Sequence, residues 1–333
     1  MVAVFSRGRF NMRKVLLATT AIVALGGVSA ASADISVGAS AEFQYDSWSG
    51  TSADTTSTNN NSFKGTTDFS ISASSVLDNG MTISARVFED GSADGTASFG
   101  ENGFKISDDW GTLGFNSDES GDAFATALDI TDDEGYNNDG TSISSRKPSD
   151  DWIDSAEVSY LSPSVSGFQF SVGMADGAKA DNTMGGVQYS TAAGDATVSL
   201  RYAFQTTGKA NSTGTGTNAS IDITNIGAVI SMGGATLTVS QKSWEQGSIY
   251  DYEASGAAIA YTVSDSLTVE AFSGETENNG TTDASFKFKE NGYGVTYTIT
   301  PGLSLSLTNN TWDQDGTTDE DGKNTAVALD LSF

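Results

Sequence analysis

The 333-residue chain contains no Cys and no His, and its 43 acidic against 16 basic side chains give a formal charge of -27. Disulfide, thiolate and imidazole chemistry are therefore excluded, and a charge of that sign repels nucleic acid and anionic lipid. Little is left from which to build an enzyme beyond a glycosidase-like carboxylate pair, so no catalytic function is expected.

Residues 1–11 read as an upstream extension. From Met12, Arg13 and Lys14 lead an apolar run from Val15 to about Gly27, and Ala31-Ser32-Ala33 has the small-residue spacing of a cleavage site. Residues 12–33 read as a secretory signal peptide. The absence of Cys after the apolar run excludes a lipidated N-terminus. Residues 34–333 form the exported domain, and no later stretch offers the roughly 18 apolar residues of a membrane helix.

From Asp34 onward the period is two. ISVGASAEFQY sets Ile35, Val37, Ala39, Ala41, Phe43 and Tyr45 against Ser36, Ser40, Glu42 and Gln44. The same alternation recurs in MTISARV, ATVSLRYAF and LSLSLTN. Each reads as a strand with one apolar and one wet face. About sixteen strands are expected, from 34–46 to 324–333, with 283–300 read as one strand, straight or bent. Tight turns at Asp78 to Gly80, Gly194, Gly233-Gly234, Asp265 and Pro301 alternate with long polar stretches after Trp48, Thr207 and Trp312. Short turns at one rim and long loops at the other suit an outer-membrane barrel.

Parity slips at Glu101-Asn102-Gly103, at Glu290-Asn291-Gly292 and between Ile223 and Ile226, where bulges or an extra turn are expected. Trp48, Trp110, Trp152, Trp244 and Trp312 lie near strand ends, where an aromatic girdle would sit; core packing is the alternative. The chain ends in TAVALDLSF. A closed barrel pairs its last strand with its first, which would put Val327, Leu329, Leu331 and Phe333 in lipid beside Ile35, Val37 and Ala39.

The stretch 118–154 is far longer than a hairpin loop, and Asp118, Glu119, Asp122, Asp129, Asp132, Asp133 and Glu134 crowd its first half. It is either a solvated surface loop or one folded inward to narrow the lumen. Lys64, Arg86, Lys105, Arg201, Lys242, Lys287 and Lys289 take the polar face of their strands. Acids and bases opposed across a constriction would set a transverse field; the bases would otherwise only balance nearby acids. Arg86 and Arg201 are the leading candidates.

The signal peptide, the start DISVGASAEFQYD, the segment GTLGFNSDESGDAFATALDITDDEGYNNDG and the terminal VALDLSF together resemble the trimeric general porins of alphaproteobacteria, of the Rhodobacter type. The resemblance implies a sixteen-stranded homotrimer in the outer membrane of a gram-negative bacterium, passing small hydrophilic solutes. It implies a third loop folded inward with Asp118, Glu119, Asp122, Asp129, Asp132 and Asp133 facing wall bases, here Arg86 and Arg201 with Lys64 and Lys105. It also implies that barrel assembly machinery recognises Phe333. The family's arginine cluster is denser than Arg86, Arg146 and Arg201, which points to cation preference. Some members bind calcium through acidic loops. Asp313, Asp315, Asp319 and Asp321 form a candidate weak divalent site, although position six from Asp313 is Thr318 and the EF-hand pattern fails; a merely repelling acidic surface is the alternative. No cofactor is required.

The expected fold is thus an all-β transmembrane antiparallel barrel with an inward-folded long third loop. The expected function is a water-filled channel for passive diffusion, cation-preferring. The alternatives are a monomeric substrate-specific barrel and a soluble secreted acidic β-protein of structural or adhesive role.

Overall fold

A computed structural model describes residues 34–52, 55–91, 97–117, 156–177, 180–207, 220–247, 250–281, 287–315 and 320–333. Sixteen strands run through them in chain order. The first eight are β1 (Asp34–Ser52), β2 (Thr55–Val76), β3 (Thr82–Gly91), β4 (Ala97–Asp108), β5 (Gly111–Ser117), β6 (Ala156–Leu161), β7 (Phe168–Gly177) and β8 (Ala180–Ala193). The rest are β9 (Ala196–Thr207), β10 (Ile221–Met232), β11 (Ala235–Gln246), β12 (Tyr250–Ser264), β13 (Leu267–Asn278), β14 (Lys287–Thr300), β15 (Leu303–Asp315) and β16 (Glu320–Ser332). Every strand pairs antiparallel with its chain neighbours, and β16 pairs with β1 to close the barrel.

Closure extends beyond the last assigned strand residue. Phe333 N–H donates to Ala39 O at 2.9 Å, and Ala39 N–H donates to Phe333 O at 3.3 Å. The seam differs from expectation by a slide: Leu331, Leu329 and Val327 face Ala41, Phe43 and Tyr45, while Ile35 and Val37 pair only with β2. The stagger of a tilted barrel causes this. Register partners traced from Ser84 lead through Lys105, Gly114, Ser159, Gly173, Met184, Gln205, Ile223, Trp244 and Tyr252 to Asn278. That row starts close to a short turn and ends at the far rim.

Exposed apolar side chains mark the outward face: Val37 and Phe43 on β1, Phe63, Phe69 and Ile71 on β2, Leu305 and Leu307 on β15, and Val327 and Leu329 on β16. Their sequence neighbours point inward, because successive side chains alternate and register partners share a face. The driving force of burial is therefore spent toward acyl chains, and the interior stays polar, as a spanning barrel requires. A soluble β-protein would hide the outward row.

Two of the three parity slips have no bulge behind them. The β3–β4 register does shift between Val87 and Glu89, as the first slip foresaw. At 290–292, however, the pairing is continuous on both sides: Phe288 is an inward, buried residue and Tyr293 an outward, exposed one. Ile223 and Ile226 divide in the same way, with 1% and 56% exposure.

The same inward turn corrects the tryptophan girdle. Tyr252, Phe288 and Trp312 form a buried cluster with Trp48 and Trp244 packed against it, and all five share the inward parity of their strands. Trp110 alone among the described tryptophans lies outward, stacked on Tyr160 at 6.3 Å with its carbonyl accepting the Tyr160 hydroxyl at 2.6 Å. Trp152 lies outside the described residues, as do residues 1–33.

Candidate pore lining

The inward wall is built from short polar side chains because its strands alternate Ser, Thr, Asn and Gln with the outward apolar set. On β2 the exposure pattern from 61 to 70 switches at every residue, inward positions half-buried and outward ones exposed. On β11 through β16 the inward face also carries very small residues: Ser240, Gly256, Gly274 and, beneath aromatic rings, Gly292 and Gly322. A Cβ on Gly292 would overlap the Phe272 ring, and one on Gly322 would overlap the Trp312 indole. These rings therefore lie flat against the wall instead of standing into the lumen.

Charge on the wall is sorted by strand. Near the short-turn rim, Glu42 faces Asp330 directly across β1 and β16, and Asp68 sits one inward step away, opposite Ser40. Ser40 Oγ donates to Asp68 at 3.0 Å, and Ser304 Oγ donates to Asp330 at 3.4 Å. The three carboxylates line a recess of about 340 Å³ with Thr66, Ser304 and Ser332. Glu270, exposed, arches over Gly294 on the neighbouring strand. Sequence reading missed these acids, although the polar parity of ISVGASAEFQY already held Glu42.

The basic candidates do not form one patch. Arg86 lies between Ser72 and Gly103, and Lys105 faces Ser84 beside it, so these two are diagonal neighbours on β3 and β4. Lys64 faces Gln44, eight residues before Ser72 on β2. Arg201 faces Gln188 and Gly227 on β9, six strands from Arg86 around the barrel. Lys242 and Glu290 are inward too, but 7% and 1% exposed, whereas Arg86 is open to the lumen. Asp118, Glu119, Asp122, Asp129, Asp132 and Asp133 fall outside the described residues.

Lys287 and Lys289 are corrected to the outer face, since they share parity with exposed Tyr293 and Tyr297. There Lys287 bridges Glu275 and Glu277, and Lys289 stands 4.0 Å from Glu275. Sequence parity failed because the outward face itself turns polar above the lipid level. Asp313 and Asp321 face each other on that outer surface with Asp315 two residues on; Asp319 is outside the described residues. Among the described residues no group of three or more carboxylates is placed to hold a metal ion.

The sequence pattern of the family described as gram-negative porin matches residues 18–318. No match was found among curated protein sequences. Solved structures resemble the chain at low identity. A loop L8 deletion mutant of OmpT, an outer membrane protein of Vibrio cholerae, is 15% identical over 90% of this chain and 99% of its own, with a TM-score of 0.67. The anion-selective porin from Comamonas acidovorans is 14% identical over 90% of this chain and 100% of its own, with a TM-score of 0.64. The trimer form of in-vitro folded Vibrio cholerae OmpT is 14% identical over 90% and 99%, with a TM-score of 0.60. At such identity the likeness carries the fold; ion preference is a matter of side chains.

Proposed function

The chain belongs to the gram-negative porin family, and we propose that this member is a cation-preferring channel whose lumen is narrowed by residues 118–154. It is an outer-membrane porin, a barrel through which small hydrophilic solutes and ions diffuse passively. The observation that carries the preference for cations is the inward carboxylate trio of Glu42, Asp68 and Asp330 at the short-turn mouth. The acid excess of the whole chain acts in the same direction. The acids from Asp118 to Asp133 would then form one side of the constriction and Arg86, with Lys105, the other. Lys64 and Arg201, set apart on the wall, would shape the field elsewhere along the path.

The likeness of both termini and of 118–154 to Rhodobacter-type porins supports a homotrimer, export by residues 12–33 with Asp34 as the first mature residue, and recognition of Phe333 by barrel assembly machinery. Planar-bilayer recording tests the central reading. Discrete conductance steps are expected, with a reversal potential of cation sign in a salt gradient, and Arg86→Ala is expected to raise the cation preference. Folded, heat-modifiable protein that gives no steps, or gives an anion-sign potential, overturns it.

A further inference from the structure

We propose that Phe88 is a positioning residue for ion selectivity, holding the Arg86 guanidinium in one place on the pore wall. The proposal rests on the reading of Arg86 as a lumenal base. Arg86 and Phe88 are two residues apart on β3 and so share a face. The Arg86 Cζ stands 4.9 Å from the centroid of the Phe88 ring, inside the range of a cation–π contact.

The surroundings leave this ring as the fixed point. Arg86 is flanked in register by Ser72 on β2 and Gly103 on β4, neither of which carries a charge. Among the described residues no carboxylate is paired with it. Its diagonal neighbour toward the short-turn rim is Lys105, opposite Ser84, a like charge that repels it. Phe88 lies on the other side, so repulsion and attraction act in the same direction along the strand.

Phe88 itself is out of pattern. The positions of inward parity on β3 are otherwise Thr82, Ser84, Arg86 and Asp90, all polar or charged, and the partner of Phe88 on β2 is Ser70. A phenyl ring with those neighbours has no apolar cluster to join. It also sits where the β3–β4 register shifts, between Val87 and Glu89, and bulges of this kind re-aim side chains. An arginine with free rotamers would spread its charge over a wide arc of the lumen. The ring favours one position by roughly two- to fivefold.

The test is the reversal potential in a potassium chloride gradient for Arg86→Ala, Phe88→Leu, Phe88→Tyr and the Arg86→Ala/Phe88→Leu pair, with heat-modifiable gel mobility confirming that each barrel is folded. Arg86→Ala is expected to raise the cation-to-anion permeability ratio, and Phe88→Leu to raise it part of the way. Phe88→Tyr, which keeps the ring, should match the unsubstituted protein. The double substitution should match Arg86→Ala, because the two residues act as one unit. A Phe88→Leu channel with an unchanged ratio, while Arg86→Ala shifts, overturns the positioning role alone. So does a Phe88→Leu effect that adds in full to that of Arg86→Ala. If Arg86→Ala itself shifts nothing, the placement of Arg86 in the ion path fails first and the proposal falls with it.

Discussion

At Gly167, in the turn between β6 and β7, the backbone has φ +87°, and a Cβ would overlap the Ser190 carbonyl oxygen and lie 3.2 Å from the Tyr189 ring. Gly194, in the β8–β9 turn, has φ +65° but open space around it. Both positions favour glycine because left-handed backbone penalises an L side chain. Only the first also demands that the neighbouring strand move. Gly167→Ala is therefore expected to cost about 2–4 kcal/mol and Gly194→Ala about 1–2 kcal/mol. The temperature at which the folded band disappears on a gel should fall further for Gly167→Ala. Equal shifts would show that backbone conformation alone, and not contact with β8, sets the demand.

Along a strand the informative feature is where the outward face stops being apolar. On β14 it reads Ile299, Tyr297, Val295 and Tyr293, then Asn291, Lys289 and Lys287. On β15 it reads Leu303, Leu305 and Leu307, then Asn309, Thr311 and Asp313. Val295 faces Leu307 between the two tyrosine levels. Val295→Arg should cost about 2–4 kcal/mol and Thr311→Arg about 0–1 kcal/mol, following the depth dependence of charge on a lipid-facing wall. Assembly yield and unfolding temperature measure both; an equal loss at the two sites would misplace the lipid boundary. This change of character also explains what could be read from sequence. Alternation in ISVGASAEFQY and LSLSLTN marks strand, face and turn, because in the lipid layer apolar means outward. Above it that code ends. Trp48, Trp244, Phe288 and Trp312 could not be assigned inward, nor Lys287 and Lys289 outward, without counting parity from the membrane part of the same strand. The third loop is a different case: its acids from Asp118 to Asp133 follow no period, so composition and the family resemblance alone spoke for them.

For the molecule as a whole, ion preference follows from where charge meets water, not from the total of -27. The outer-face acids Glu275 and Glu277 are engaged with Lys287 and lie on the far side of the wall. Lys242 and Glu290 are buried. Glu42, Asp68 and Asp330 are gathered on three adjacent strands at one mouth, where the Ser40 and Ser304 hydroxyls donate to Asp68 and Asp330; Glu270 is a further exposed inward acid, elsewhere on the wall. Permeant ions pass the trio at lumenal distances, and its field is screened within about 10 Å at 0.1 M salt and about 3 Å at 1 M. The combined Glu42→Gln, Asp68→Asn and Asp330→Asn substitution should therefore lower the cation-to-anion permeability ratio severalfold in dilute salt and little at 1 M. Single-channel conductance at 1 M should stay near that of the unsubstituted protein, since the amides preserve wall volume. A ratio that falls equally at both salt concentrations would mean that the carboxylates act by shaping the passage. A ratio that does not fall at all would move the selectivity to the acids of 118–154.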